Sequence, residues 1–278
     1  MELQEQVRSH TWYHTIELAP GLVTPGWFDL RKTVEKIPWP DLRGKRCLDV
    51  GTFDGFLAFE MERRGAAEVV ALDIDNYRQL DWPPRQRETA PAELERTNGP
   101  ERGRGFRIAA EALGSNVKRV TMPVYDLSPD RVGMFDLIVC GSILMHLRDP
   151  ILALERMRCV CQGQLLATEG IDPYLTLMHR NLPVLQIRGG GDEWTTTNKA
   201  GLLRLLHVAG FRVEKVTKPY ALGHGPGRKQ VMGRMDVVKA FREKPKRIIG
   251  NFGRLAVRKM VGGDTGTLNV AVLARPDI

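Results

Sequence analysis

Short continuous apolar runs along the chain are separated by longer stretches with helical spacing of their apolar residues. The runs RCLDVG (46–51), EVVALDID (68–75), FDLIVC (135–140), GQLLATEG (163–170), FRVEKVTK (211–218) and TLNVAVLAR (267–275) are rich in Val, Ile and Leu and bounded by glycine or polar residues. Such runs predict strands, the central ones buried on both faces. KRVTMPVYDL (118–127) adds a seventh. Between them GFLAFEMERRG, FRIAAEALG, DPILALERMRCV and the stretch from about Asn198 to Ala209 read as helices, with Asp149 a natural N-cap and Pro150 a natural first residue. Alternating strands and helices predict an α/β fold, a doubly wound and mainly parallel seven-stranded sheet with its ligand beyond the carboxyl ends of the strands.

Three stretches interrupt the alternation. Residues 83–105 are rich in Pro, Gly and Arg and predict a mobile surface loop. Residues 220–264 form an insertion before the last strand. Residues 1–40 form an N-terminal extension dense in Trp12, Tyr13, Trp27, Phe28, His10 and His14. This extension is expected either to cover the open end of the sheet as a lid or to pack on the core; the remainder, 41–278, reads as one domain.

Composition adds limits. With 278 residues, 42% of them hydrophobic, the chain can bury one large core. No run of about eighteen apolar residues and no leader pattern is present, so a cytoplasmic protein is expected. Cys47, Cys140, Cys159 and Cys161 form no CxxC pair and read as buried reduced thiols. Asp149, Glu169 and Asp172 are too scattered in sequence to assign a metal site. The net charge of +8 is concentrated between residues 226 and 260, where eleven Lys or Arg face Asp236 and Glu243, so that the rest of the chain carries −1. This segment suits a nucleic acid, a membrane surface or an acidic substrate, or is simply a solvated face.

The loop CLDVGTFDGF joins the first strand to the first helix, where a nucleotide would bind. A dinucleotide fingerprint needs glycines where this chain has Phe53 and Phe56, and Asp49 and Asp54 would oppose a pyrophosphate. A cofactor without phosphate, carrying an ammonium and a sulfonium, suits these carboxylates better.

Asp49-Val50-Gly51-Thr52-Phe53-Asp54-Gly55 resembles the first motif of class I S-adenosylmethionine-dependent methyltransferases, with Phe53 where a small residue is often found. The resemblance covers roughly residues 40 to 278 and implies S-adenosylmethionine as cofactor, held by Asp49, Gly51, Thr52, Phe53 and Gly55. It further implies that Asp73, followed by Ile74, takes the ribose hydroxyls, that Asp126 lies near the adenine amino group with Tyr125 or Leu127 as its apolar wall, and that Gly141 ends the strand facing the methyl group. More narrowly, CGSILMHLRDPILALERM, WYHTIELAPG and RGAAEVVALD resemble the branch holding the bacterial tRNA wobble-uridine carboxymethyltransferases and their uncharacterised relatives. That branch tends to carry Tyr-His where this chain has Met145-His146, so methyl transfer is implied in preference to carboxymethyl transfer.

His146 follows the fourth strand, and an imidazole with a pKa of about 6.5 suits a general base. Arg148 or Asp149 could orient it, and His14 is a second candidate base. Trp12, Tyr13, Glu169, Trp194 and Asn198 are candidate acceptor contacts. The expectation is methylation of a hydroxyl on a small, glycan-like, lipid-linked or secondary-metabolite acceptor, anionic or amphiphilic in character. Residues 226–260 would supply peripheral contact with the inner membrane face. Alternatives are a tRNA-modifying methyl or carboxymethyl transferase and a non-catalytic cofactor- or RNA-binding module.

Overall fold

The computed structural model describes residues 2–190, 192–228 and 268–277. Most of the basic stretch 226–260 and of the insertion 220–264 therefore lies outside the described residues. The sheet is built from β1 (Arg46–Val50), β2 (Glu68–Asp73), β3 (Lys118–Thr121), β4 (Phe135–Gly141), β5 (Cys161–Gly170), β6 (Phe211–Val216) and β7 (Leu268–Pro276). Their order is β6-β7-β5-β4-β1-β2-β3. β7 runs antiparallel to both neighbours, and the β1/β2, β1/β4, β2/β3 and β4/β5 pairs are parallel. An eighth strand, Tyr220–Ala221, pairs with β7 where seven strands were expected. Two residues are too short a run for hydrophobic patterning to reveal.

The strand period of two sends Leu48 and Val50 to one face of the sheet and Cys47 to the other, into two separate cores. Helices α1 (Phe56–Arg63) and α2 (Arg104–Leu113) cover the Cys47 face, while α3 (Pro150–Cys159) and α4 (Lys199–Val208) cover the Leu48 face. Trp12, Ile16 and Leu18 of the N-terminal extension share the core beneath α1 and α2. The extension also reaches the far end of the chain, since Phe28–Asp29 pairs antiparallel with Gly223–His224. Cys159 is exposed, unlike the other three cysteines. Residues 83–105 are not loop throughout, because they contain the helix Ala90–Asn98. Pro91 lies in its first turn, where its missing N–H costs no hydrogen bond, so a residue that reads as a breaker starts a helix here.

Among the described residues no helix is long and apolar enough to cross a membrane. No group of three or more His, Cys, Asp or Glu among them is arranged to hold a metal ion.

Candidate functional site

At the carboxyl ends of β1, β2 and β4 lies a cavity of about 500 Å³. Its floor is the β1–α1 loop, where Gly51 and Gly55 adopt φ of 77° and 92°. A Cβ at Gly51 would come within 2.6 Å of Ile143 Cδ1, so only glycine leaves this loop both its turn and its room. Asp49 is buried, and its Oδ2 and the hydroxyl of Thr52 have no well-formed hydrogen bond. Burial pushes the Asp49 carboxyl up to about 7. A buried carboxylate with an oxygen that lacks a well-formed hydrogen bond favours a polar, preferably cationic, occupant.

Phe53, the residue that spoils the dinucleotide pattern, turns out to be a hinge pin for three segments. Its backbone is left-handed, with φ 49°, and its N–H donates to Asp73 Oδ2 at 2.7 Å. The Phe53 ring stacks on Tyr13 at 4.7 Å between centroids, and the Arg102 guanidinium lies 4.3 Å from the Phe53 centroid. Asp54 is fully buried, and its Oδ2 accepts from the backbone N–H groups of Tyr13 at 2.7 Å and His14 at 2.9 Å. The second carboxylate of the loop therefore ties down the N-terminal extension.

Asp73 ends β2 with both oxygens engaged. Oδ1 accepts from Ile74 N at 2.8 Å and from Arg102 Nε at 3.1 Å. The adjoining wall is Met122, Val124 and Tyr125, with Asp126 at its edge. Tyr125 donates its hydroxyl to Asp81 Oδ2 at 2.5 Å, a carboxylate that also accepts from Arg148 N at 2.9 Å. Leu127 is fully buried in the core and does not line the cavity.

At the end of β4, Gly141 and Ser142 border the cavity, and His146 faces it from the following turn. His146 Nδ1 lies 3.0 Å from the carbonyl oxygen of Asp192 and 3.4 Å from its Oδ2. A carbonyl only accepts, so Nδ1 carries the proton and Nε2 is left as the basic nitrogen. Asp149, expected as a partner of His146, caps α3 by accepting from Leu152 N at 2.9 Å. Arg148 uses its backbone N–H on Asp81. The partner comes instead from a hairpin of Leu185–Gly190 and Glu193–Thr197.

The other sequence candidates divide by burial. Tyr13 and His14 line the cavity. Burial pushes the Tyr13 phenol up to about 12 and lowers His14 to about 4, so both are neutral at pH 7. Trp12 is buried in the core and donates Nε1–H to Val7 O at 3.0 Å. Glu169 lies away from the main cavity. Its Oε1 accepts from Ile143 N at 3.1 Å and Leu144 N at 3.4 Å, so it shapes the turn that carries His146. Trp194 donates Nε1–H to the Asp81 carbonyl, fastening the hairpin to the cavity rim. Gly55 caps α1 and does not line the cavity.

Asn198 is fully buried as the N-cap of α4. Its Oδ1 accepts from Gly201 N at 2.7 Å, and its Nδ2 donates to His179 O at 2.8 Å and Leu182 O at 2.9 Å. We expect Asn198→Ala to lower unfolding free energy by about 2–3 kcal/mol in urea titration, with ligand affinity at the cavity unchanged. Sequence reasoning passed over Arg102, Asp81, Tyr77, Ser142 and Asp192, all of which line the cavity. Only Arg102 left a signal, as one of the arginines clustered in 83–105.

No family model matches the chain. Over 183 residues it is 25% identical to a ubiquinone biosynthesis O-methyltransferase of Acinetobacter baylyi, a match covering 66% of this chain and 61% of the relative. Over 142 residues it is 25% identical to a tRNA U34 carboxymethyltransferase of Campylobacter hominis, covering 51% of this chain and 41% of that protein. The matched region thus spans about three fifths of the length of the first of these relatives. A solved structure of a candidate methyltransferase from Bacillus halodurans superposes with a TM-score of 0.53 at 16% identity, covering 90% of this chain and 99% of the other. The fold is that of the class I S-adenosylmethionine-dependent methyltransferases, and the sequence relatives are named as methyl or carboxymethyl transferases.

Proposed function

We propose that this chain, built on the class I methyltransferase fold, binds S-adenosylmethionine in the cavity and methylates a hydroxyl of a small acceptor, with His146 as general base. The observation that carries the reading is the buried Asp49 carboxylate lining the cavity, whose Oδ2 has no well-formed hydrogen bond, beside the close-approach glycine Gly51. A ligand with a cationic amino-acid end pairs with this carboxylate, whereas a phosphate would be repelled by it. In this reading Asp73 takes ribose hydroxyls, Ile74, Val124 and Tyr125 wall the adenine, and Asp126 faces its amino group. When bound, the cofactor supplies a methyl group on a sulfonium, open to in-line displacement.

The chain's own residues then have defined tasks. Nε2 of His146 takes the acceptor's proton as the new bond forms, while Nδ1–H stays on the Asp192 carbonyl. The Asp192 carboxylate, 3.4 Å from Nδ1, offsets the charge of the resulting imidazolium. Tyr13 and Trp27, from the extension acting as a lid, exclude water from the reacting end. A hydroxyl acceptor accords with the ubiquinone O-methyltransferase relatives. Within the same proposal, residues 226–260 meet an anionic or lipid-linked acceptor, or the membrane face that presents it.

A second reading, transfer to tRNA, draws on the Campylobacter hominis relative and on the eleven cations of 226–260. It predicts RNA binding whose affinity falls steeply with salt. A screen comparing tRNA with hydroxylated aromatic, lipid and glycan acceptors for release of S-adenosylhomocysteine separates the two. Turnover of tRNA alone would overturn the small-acceptor reading.

Asp49 also predicts a pH dependence. Its carboxyl, raised to about 7, is largely protonated in the free protein at lower pH, and a cationic ligand requires the carboxylate. Affinity for S-adenosylhomocysteine should therefore fall roughly tenfold per unit as pH drops below 7, and level off above it. Calorimetric titrations between pH 5 and 7.5 check this, and Asp49→Asn should be weaker and flat across the range.

A further inference from the structure

A second, smaller recess of about 40 Å³ opens off the main cavity. The two share Tyr13, His14, Leu57, Gly141 and Ser142, so the recess begins at the end of β4, on the acceptor side of the reading above. Its far wall is mainly apolar, formed by Phe28, Leu30 and Ile37 of the N-terminal extension, with Thr33 between them, and by Leu222, which follows the strand Tyr220–Ala221. The nearby polar group Thr168 Oγ1 is already bonded to the Tyr220 hydroxyl at 2.8 Å. At the junction His14 is different. Its imidazole is buried and its Nδ1 has no hydrogen-bond partner. Burial lowers its pKa to about 4, so it faces the junction neutral.

A recess of this size takes two or three carbon atoms, and a far wall that is mainly hydrocarbon favours an alkyl group over water. The backbone N–H of His14 is fixed on Asp54 at 2.9 Å, and Thr24 Oγ1 donates to the His14 carbonyl at 2.7 Å, so this residue is rigidly placed. We propose that the recess is an acceptor subsite that takes a short alkyl substituent of two or three carbons, next to a hydrogen-bond donor on the acceptor that meets His14. The donor and the alkyl arm sit at adjacent positions of the acceptor, because His14 lines the mouth of the recess and not its end. This inference rests on the methyltransferase reading of the main cavity. It narrows the acceptor class to molecules carrying a donor and a small apolar group side by side, which polyhydroxylated glycans do not offer.

The probes are phenol, 2-methylphenol, 2-ethylphenol and ethylbenzene, titrated by ligand-observed NMR into protein saturated with S-adenosylhomocysteine. Affinity should rise about fourfold per added carbon from phenol to 2-ethylphenol, the factor that burying one methylene at about 0.8 kcal/mol gives. Ethylbenzene, which lacks the donor, should bind at least tenfold more weakly than 2-ethylphenol. Leu222→Phe fills the recess and should remove the chain-length gain while phenol and S-adenosylhomocysteine bind as before. Leu222→Ala enlarges it and should shift the optimum to a longer chain, so the inference does not depend on one variant folding. Affinity independent of alkyl length in the wild type, or no binding of any phenol, would overturn the subsite. If S-adenosylhomocysteine itself fails to bind, the cofactor reading falls first and the subsite with it.

Discussion

His146→Ala should lower kcat for methyl transfer by a factor on the order of 10² to 10⁴ and leave the Kd for S-adenosylhomocysteine within twofold of wild type. The split follows from position. His146 lies on the turn after β4, while Asp49, Asp73 and the β1–α1 loop lie on neighbouring elements and keep their contacts when the imidazole is removed. Asp192→Ala should cost less, about tenfold or below, because the carbonyl that fixes the His146 tautomer survives the substitution. Stopped-time assays of S-adenosylhomocysteine release over pH 5.5–8.5, with an acceptor from the screen, give both quantities.

The second large effect belongs to Asp73. Asp73→Ala should weaken S-adenosylhomocysteine binding by at least a hundredfold, since each hydrogen bond between a ribose hydroxyl and a carboxylate contributes about 1.5–3 kcal/mol. The substitution also removes the acceptor for Phe53 N at 2.7 Å and for Ile74 N at 2.8 Å, and leaves Arg102 without its carboxylate. Asp73→Asn keeps one acceptor oxygen and should lose less, about tenfold. Arg102→Ala has the opposite sense. Arg102 occupies one of the approaches to Asp73 Oδ1, so its removal should preserve or tighten ribose binding. Calorimetry on the three variants, with thermal unfolding as a check on folding, orders them.

What could be read from sequence was what local pattern records. β1, β2 and β4 announce themselves as apolar runs because both faces of a central parallel strand are buried. The spacing from Asp49 to Asp73 is legible for the same reason, since each acid ends such a run. Contacts made across the fold left no such trace. Asp192 meets His146 from forty-six residues away, through a hairpin whose strands, LQIRGG and EWTTT, carry no continuous apolar run. Asp54 binds the N-terminal extension from forty residues away and reads in sequence as part of a cofactor motif. Glu169 and Asn198 lie at the ends of apolar or helical segments, where a binding role and a structural one look alike. Burial and partners separate these cases, and both depend on topology. Phe53 shows the limit most directly. In sequence it is a defect in a glycine motif, and in the fold its ring lies between Tyr13 and Arg102.

The most direct measurement of the central claim is calorimetric titration of the wild-type protein with S-adenosylmethionine and S-adenosylhomocysteine at pH 7.5. The account predicts one site per chain with a Kd in the micromolar range, weakened at least a hundredfold by Asp73→Ala. No binding of either ligand at millimolar concentration would contradict it.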